Sequence, residues 1–166
     1  MKFKYNIIAF LFIGILGTVS HFVFEWANTS KIIGYFFPVN ESPWEHLKLL
    51  FFPTILFSLI EFIFVKNEIK NYVPSVIISV IIGMLSIITL YFTYTGILGY
   101  NIDFINIIIF YISIIITLFV KNKIIDSEKF SGANYSLIFL TAGFIITLMF
   151  IFYTYNPPSI QIFIEP

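Results

Sequence analysis

Five runs of about 20 apolar residues follow one another along this chain with very little between them. They lie at roughly 5–26, 44–65, 74–95, 102–120 and 134–155 of 166 residues. A run of that length crosses the hydrocarbon core of a bilayer once as a helix. Lipid offers the backbone no hydrogen-bond partners, so each segment has to satisfy its own, and only helix does that within one segment. No soluble domain fits beside the five runs. The expected fold is all-α: a polytopic integral membrane bundle of about five transmembrane helices, one domain over 1–166, N-terminus cytoplasmic.

Composition closes the alternatives. Hydrophobic residues make up 59% and charged residues 11%, against about 25% charged in an ordinary soluble domain. A body this small is mostly surface and cannot hide so much apolar area from water. A formal net charge of zero gives no bulk attraction to acidic partners, so nucleic acid is excluded. The absence of Cys removes disulfides, thiolate ligands and Cys nucleophiles.

The start of the chain, Lys2 and Lys4 followed by an apolar stretch, resembles a signal peptide. The stretch is longer than the about 7–15 residues of such a core, and it runs on to His21, Glu25 and Trp26. It reads as an uncleaved first span. Lysine placement gives the orientation. Lys2, Lys4, Lys66, Lys70, Lys121, Lys123 and Lys129 fall on one side of a five-span chain, and Lys31 and Lys48 on the other. The richer side is the cytoplasm, which puts the C-terminus outside a cytoplasmic membrane. Trp26 and Trp44 fall at the outer interface, as an aromatic belt requires.

Within the spans, Gly14, Gly17, Thr18, His21 and Glu25 share one helical face, at spacings of three and four. Ser75, Ser79 and Gly83 form a small-residue ridge suited to close helix packing. Pro53 is expected to kink the second span. Segment 27–43 and the apolar tail after Tyr155 are expected to lie against the outer face, and 121–133 to form a charged inner loop.

Both histidines fall on the outer side, with Glu25, Glu41, Glu45, Asp103 and Glu165. Ionisable groups at membrane depth are costly unless paired, which makes them functional candidates. Neutral imidazoles with carboxylates suit a divalent metal such as zinc. The expected ligands are His21, Glu25, Glu41 and His46, with Glu45 as the candidate catalytic base. No named metal motif is present. Each residue also has a structural reading. Ser42-Pro43-Trp44-Glu45 suits a helix start, with Ser42 as N-cap and Glu45 closing a capping box. His21 can bond Glu25, Glu61 can pair with Lys66 or Lys70, and Asp103 can serve the helix dipole.

Phe37-Pro38-Val39-Asn40-Glu41-Ser42-Pro43-Trp44-Glu45-His46-Leu47-Lys48-Leu49, followed by Phe52-Pro53, is a distinctive stretch. With His21-Phe22 upstream, Asn156-Pro157-Pro158 downstream and terminal Glu165-Pro166, it resembles a domain-of-unknown-function family of small multi-pass bacterial membrane proteins. The resemblance covers essentially the whole chain and implies a bacterial cytoplasmic membrane, with no established activity.

Three functions stand open on the sequence. The first is an outer-face His/Glu site for a metal or polar ligand, extending to a metal-dependent hydrolase. The second is a structural or accessory subunit, with a homo-oligomer or another membrane protein as partner besides membrane lipid. The third is a small transporter or channel component, with Glu61, Asp103 and Asn106 along its path.

Overall fold

The computed structural model describes residues 2–65 and 69–166. The helices are α1 (Lys2–Trp26), α2 (Lys31–Gly34), α3 (Pro43–Val65), α4 (Tyr72–Leu98), α5 (Asp103–Ser127) and α6 (Ala133–Tyr155), and a 3-10 turn at Gln161–Phe163 ends the chain. No strand occurs among the described residues. Five of these helices are long and apolar enough to cross a membrane. Lys66, one of the lysines that set the orientation, lies outside the described residues.

The ends of the helices have local causes. After α1, Asn28 and Thr29 adopt positive φ of 52° and 55° and turn the chain; Asn tolerates that region better than most residues. Gly99 closes α4 at φ 80°, its N–H bonded to the Thr95 carbonyl at 2.7 Å. Pro53 is fully buried inside α3, which runs as one helix through it. The charged loop expected at 121–133 is shorter than that, because α5 continues to Ser127. Neither Pro nor Gly occurs between Gly99 and Gly132.

α3 packs on α1, and α4 lies between α3, α5 and α6, with its broadest contact on α5. The small-residue ridge makes that closeness feasible. Ser75 and Ser79 are fully buried, and a Cβ on Gly83 would sit 2.8 Å from the Leu50 side chain and closer still to Thr117. Ser86 donates to Ser113 across the α4–α5 seam at 2.8 Å. Ile13, Leu50, Phe51, Val80 and Ile114 fill the middle of the bundle. Outward-facing Ile15, Leu59, Phe104, Phe119, Leu137 and Phe144 are each 60% exposed or more.

Charged groups inside the bundle are paired at each end. At one end the Lys121 ammonium donates to Glu61, and the Tyr72 hydroxyl stands 2.6 Å from the same carboxylate and 2.8 Å from the Ser58 carbonyl. Among the described residues Glu61 thus meets Lys121, and not Lys70. Beside it, the Asn71 amide donates to the carbonyls of Ile124 and Lys129, tying the α3–α4 connection to the α5–α6 connection. At the other end, Trp44 at the start of α3 is enclosed by Phe150 and Tyr153 of α6 and by Phe163 of the tail. The tail therefore folds back on the bundle, as its apolar residues demand.

Candidate metal centre

Segment 35–42 is held over the end of α3 by a buried network. The Lys48 ammonium donates to Glu45 Oε2 at 2.7 Å, to the Gly34 carbonyl at 2.8 Å and to Thr154 Oγ1 at 2.6 Å. Glu45 Oε2 also accepts the Val39 N–H at 3.0 Å, and its Oε1 lies 3.1 Å from Thr154 Oγ1. Both oxygens of the candidate base are thus engaged in holding the segment. Ser42 Oγ accepts the Glu45 N–H at 3.4 Å, so Ser42 caps α3. The capping box does not close, because the Ser42 N–H bonds Asn40 Oδ1 at 3.0 Å and the Glu45 carboxylate is used elsewhere.

The network leaves Glu41 above His21 of α1 and His46 of α3. The two Nε2 atoms stand 3.3 Å apart. Glu41 Oε2 lies 3.5 Å from His21 Nε2 and 3.3 Å from His46 Nε2. These three atoms form a nearly equilateral triangle. Two ligands each about 2.0–2.1 Å from a tetrahedral ion stand about 3.3–3.4 Å apart. The triangle has the dimensions of one face of a coordination tetrahedron. His21, Glu41 and His46 are the residues that would hold such an ion, and three protein ligands would leave room for a water.

The proton positions point the same way. A carbonyl only accepts, so His46 Nδ1, 3.0 Å from the Ser42 carbonyl, carries a hydrogen and donates it. In the neutral ring this leaves a lone pair on Nε2, aimed at His21 and Glu41. Metal-ligating histidines are anchored in this manner through their other nitrogen. At 3.3 Å the His46 Nε2 and the Glu41 carboxylate need a proton or a cation between them: a protonated ring donates to Glu41, and a metal would take the place of that proton. Chiefly through its hydrogen bond with His46, the Glu41 carboxyl is held below the usual carboxylate range. The side chains of His21, His46 and Glu41 are 33%, 28% and 59% exposed, so the open side is accessible.

Of the five residues anticipated, His21, Glu41 and His46 come together within ligand distance. Glu25 is exposed at the end of α1 and is not in the group, although it shares the helical face of His21. One helical turn carries it past the level of the triangle. Glu45 serves Lys48. A cavity of about 600 Å³ adjoins the centre, bounded by α1, α3, α5 and the tail. Asp103 lines it, together with Asn101 and Asn106, whose side chains meet at the Tyr94 hydroxyl. The one signal that the sequence holds for Lys48 is that a lysine one turn after a glutamate in an apolar span needs a partner; that Gly34 and Thr154 join it depends on the fold.

A family model describing a family of unknown function, DUF6512, matches residues 1–166. The chain belongs to the DUF6512 family. That agrees with the resemblance carried by the Pro38–His46 stretch, and this stretch supplies two of the three converging residues of the DUF6512 chain. No curated protein and no solved structure matches it.

Proposed function

We propose that this is a single-domain, multi-pass protein of the cytoplasmic membrane, N-terminus inside, whose outer face binds a divalent metal such as zinc through His21, Glu41 and His46. The carrying observation is the triangle of ligand atoms with edges of 3.3, 3.3 and 3.5 Å. Apolar outward faces on five long helices support the membrane reading. A large apolar surface marks contact with lipid or another protein. The orientation rests on the lysines, and burial sharpens it. Lys48 and Lys121 are consumed in buried pairs, while among the residues whose burial is described Lys70, Lys123 and Lys129 remain exposed at the end away from the histidines and Lys31 at the histidine end.

Three protein ligands with one open position is the arrangement of catalytic rather than structural zinc. The chemistry such an ion supplies is a bound water acidic enough to act as a nucleophile near neutral pH. With an adjoining cavity to receive a substrate, this supports a metal-dependent hydrolase. A path through the bundle has less support, because Glu61 is tied to Lys121 and the described middle is packed with aliphatic and aromatic side chains.

Metal analysis of purified protein tests the centre. After zinc loading and removal of free metal, wild type should hold one ion per chain, and His21→Ala/His46→Ala should hold none. A wild type without stoichiometric metal, or a double variant that keeps it, overturns the reading.

A further inference from the structure

The cavity beside the histidines runs down into the apolar part of the bundle. On α5 its lining extends from Asp103 to Tyr111, about 12 Å of helix at 1.5 Å per residue. Phe22, Leu49, Phe110 and Tyr111 make the deeper wall apolar. Two glycines and a threonine fix that wall. A Cβ on Gly17 would meet Phe110 at 2.5 Å, and one on Gly14 would meet Tyr111 at 2.9 Å, so with hydrogen there both rings lie on the α1 backbone. Thr18 Oγ1 donates to the Gly14 carbonyl at 2.8 Å, which leaves it to accept from the Tyr111 hydroxyl at 3.2 Å. The hydroxyl is thereby satisfied within the wall. Phe22 and Ile107 line the cavity and are also 46% and 55% exposed on the outside of the bundle, within their spans. The cavity is therefore open sideways between α1 and α5 as well as at its polar end. Lipid chains outside are as apolar as this wall, so an alkyl chain can cross the opening without entering water. The volume, about 600 Å³, is that of a small-molecule site.

At the polar end the anchor for a head group is the ion of the proposed centre. A divalent ion held by Glu41 and two neutral imidazoles keeps one net positive charge and room for one more ligand. The other polar groups offer less. The Asn101 and Asn106 amide oxygens already lie 2.7 and 2.6 Å from the Tyr94 hydroxyl. Asp103 and Glu165 are exposed, so water and salt screen them. An oxyanion at the open position would bind the ion directly and cancel its remaining charge. An ammonium group has no lone pair to give and would meet the ion as a like charge.

We infer that this cavity takes a single-chain amphiphile with an oxyanion head from the bilayer, its alkyl chain along Phe22, Ile107 and Phe110 and its head, a carboxylate or a phosphate, beside His21 and His46. This deepens the proposed function and rests on it for the ion that holds the head.

The test uses full-length protein in phosphatidylcholine nanodiscs at neutral pH, loaded with cobalt(II) in place of zinc, because the visible absorption of cobalt(II) changes when a ligand joins it. Laurate and dodecyl phosphate supply a chain with an oxyanion, and dodecylamine supplies a chain with an ammonium. At least one of the two anions should change the spectrum, and dodecylamine should not. Ile107→Trp fills the sideways opening at a position exposed enough to take the larger side chain. It should leave the ligand-free spectrum unchanged and weaken the anion by about tenfold or more, as crowding of a filled site implies. Leu56→Trp, on an outward face of α3 away from the cavity, should change neither. The tighter of laurate and dodecyl phosphate tells a fatty acid from a phosphorylated lipid. A response to neither, an equal response to dodecylamine, or anion binding indifferent to Ile107→Trp overturns the inference and, with cobalt bound, leaves the centre standing. A protein that takes up no cobalt overturns the centre, and the inference with it.

Discussion

Lys48 and Glu45 face each other one turn apart on α3 at 2.7 Å, and neither side chain reaches solvent. Removing one partner of a buried pair strands the other charge, at a cost of about 3–5 kcal/mol. Lys48→Met should destabilise the protein by that amount, since the Gly34 carbonyl and Thr154 also lose their donor. Adding Glu45→Gln should recover part of the loss, because the two sites are in contact and not additive. Equilibrium unfolding followed by fluorescence of Trp44 would measure both. A Lys48→Met protein as stable as wild type would mean that the pair contributes nothing.

Zinc affinity should fall with decreasing pH, because protons compete for the same nitrogens. Glu41, held below its usual range chiefly by its hydrogen bond with His46, stays ionised to lower pH than an ordinary carboxylate. Its depressed pKa contributes stability that is present above the unfolded value and is lost as pH falls through the folded one. Each proton that the metal has to displace costs about tenfold in affinity per pH unit. Competition with a chromophoric chelator between pH 8 and pH 5 should therefore show affinity falling more steeply as the pH is lowered. A flat profile would exclude imidazole ligands.

Gly83→Ala should force α4 and α5 apart, since the new methyl would stand 2.8 Å from Leu50 and still nearer Thr117. Overpacking of this kind costs about 1–3 kcal/mol. Gly96→Ala is the control: nothing lies within 4 Å of its Cβ position. It should be neutral or slightly stabilising. Thermal unfolding in nanodiscs separates the two, and equal midpoints would refute the close packing.

Reporter fusions after Lys70 and after Lys129 should score as cytoplasmic, and a fusion after Gly99 as external. The opposite pattern would invert the proposed topology and place the metal centre inside the cell.

The helices were legible because each is a long apolar run, and composition alone restricts such a run in lipid to helix. His21 and His46 were legible as a pair: α1 and α3 are successive spans, and both histidines lie a similar distance from the outer ends. Glu41 could be named but not placed, since its position depends on the fold of segment 35–42, which the buried Lys48 sets. The roles of Glu45 and Lys48 escaped for one reason. A charge beside a span end looks like a cap or a loop lysine until Thr154, 106 residues away in sequence, is brought against it. Glu61 shows the same limit, with its partner Lys121 sixty residues on. Sequence proximity pointed to Lys66, outside the described residues, and to Lys70; helix packing brings Lys121 to the carboxylate.

Pro166 lines the cavity next to the histidines. An oligohistidine handle attached there would deliver extra imidazoles to the very place where metal is to be counted, and could fill the open coordination position itself. Zinc found in such a preparation would say nothing about His21 and His46. The purification handle belongs before α1, whose first turn lies at the end of the bundle away from the histidines.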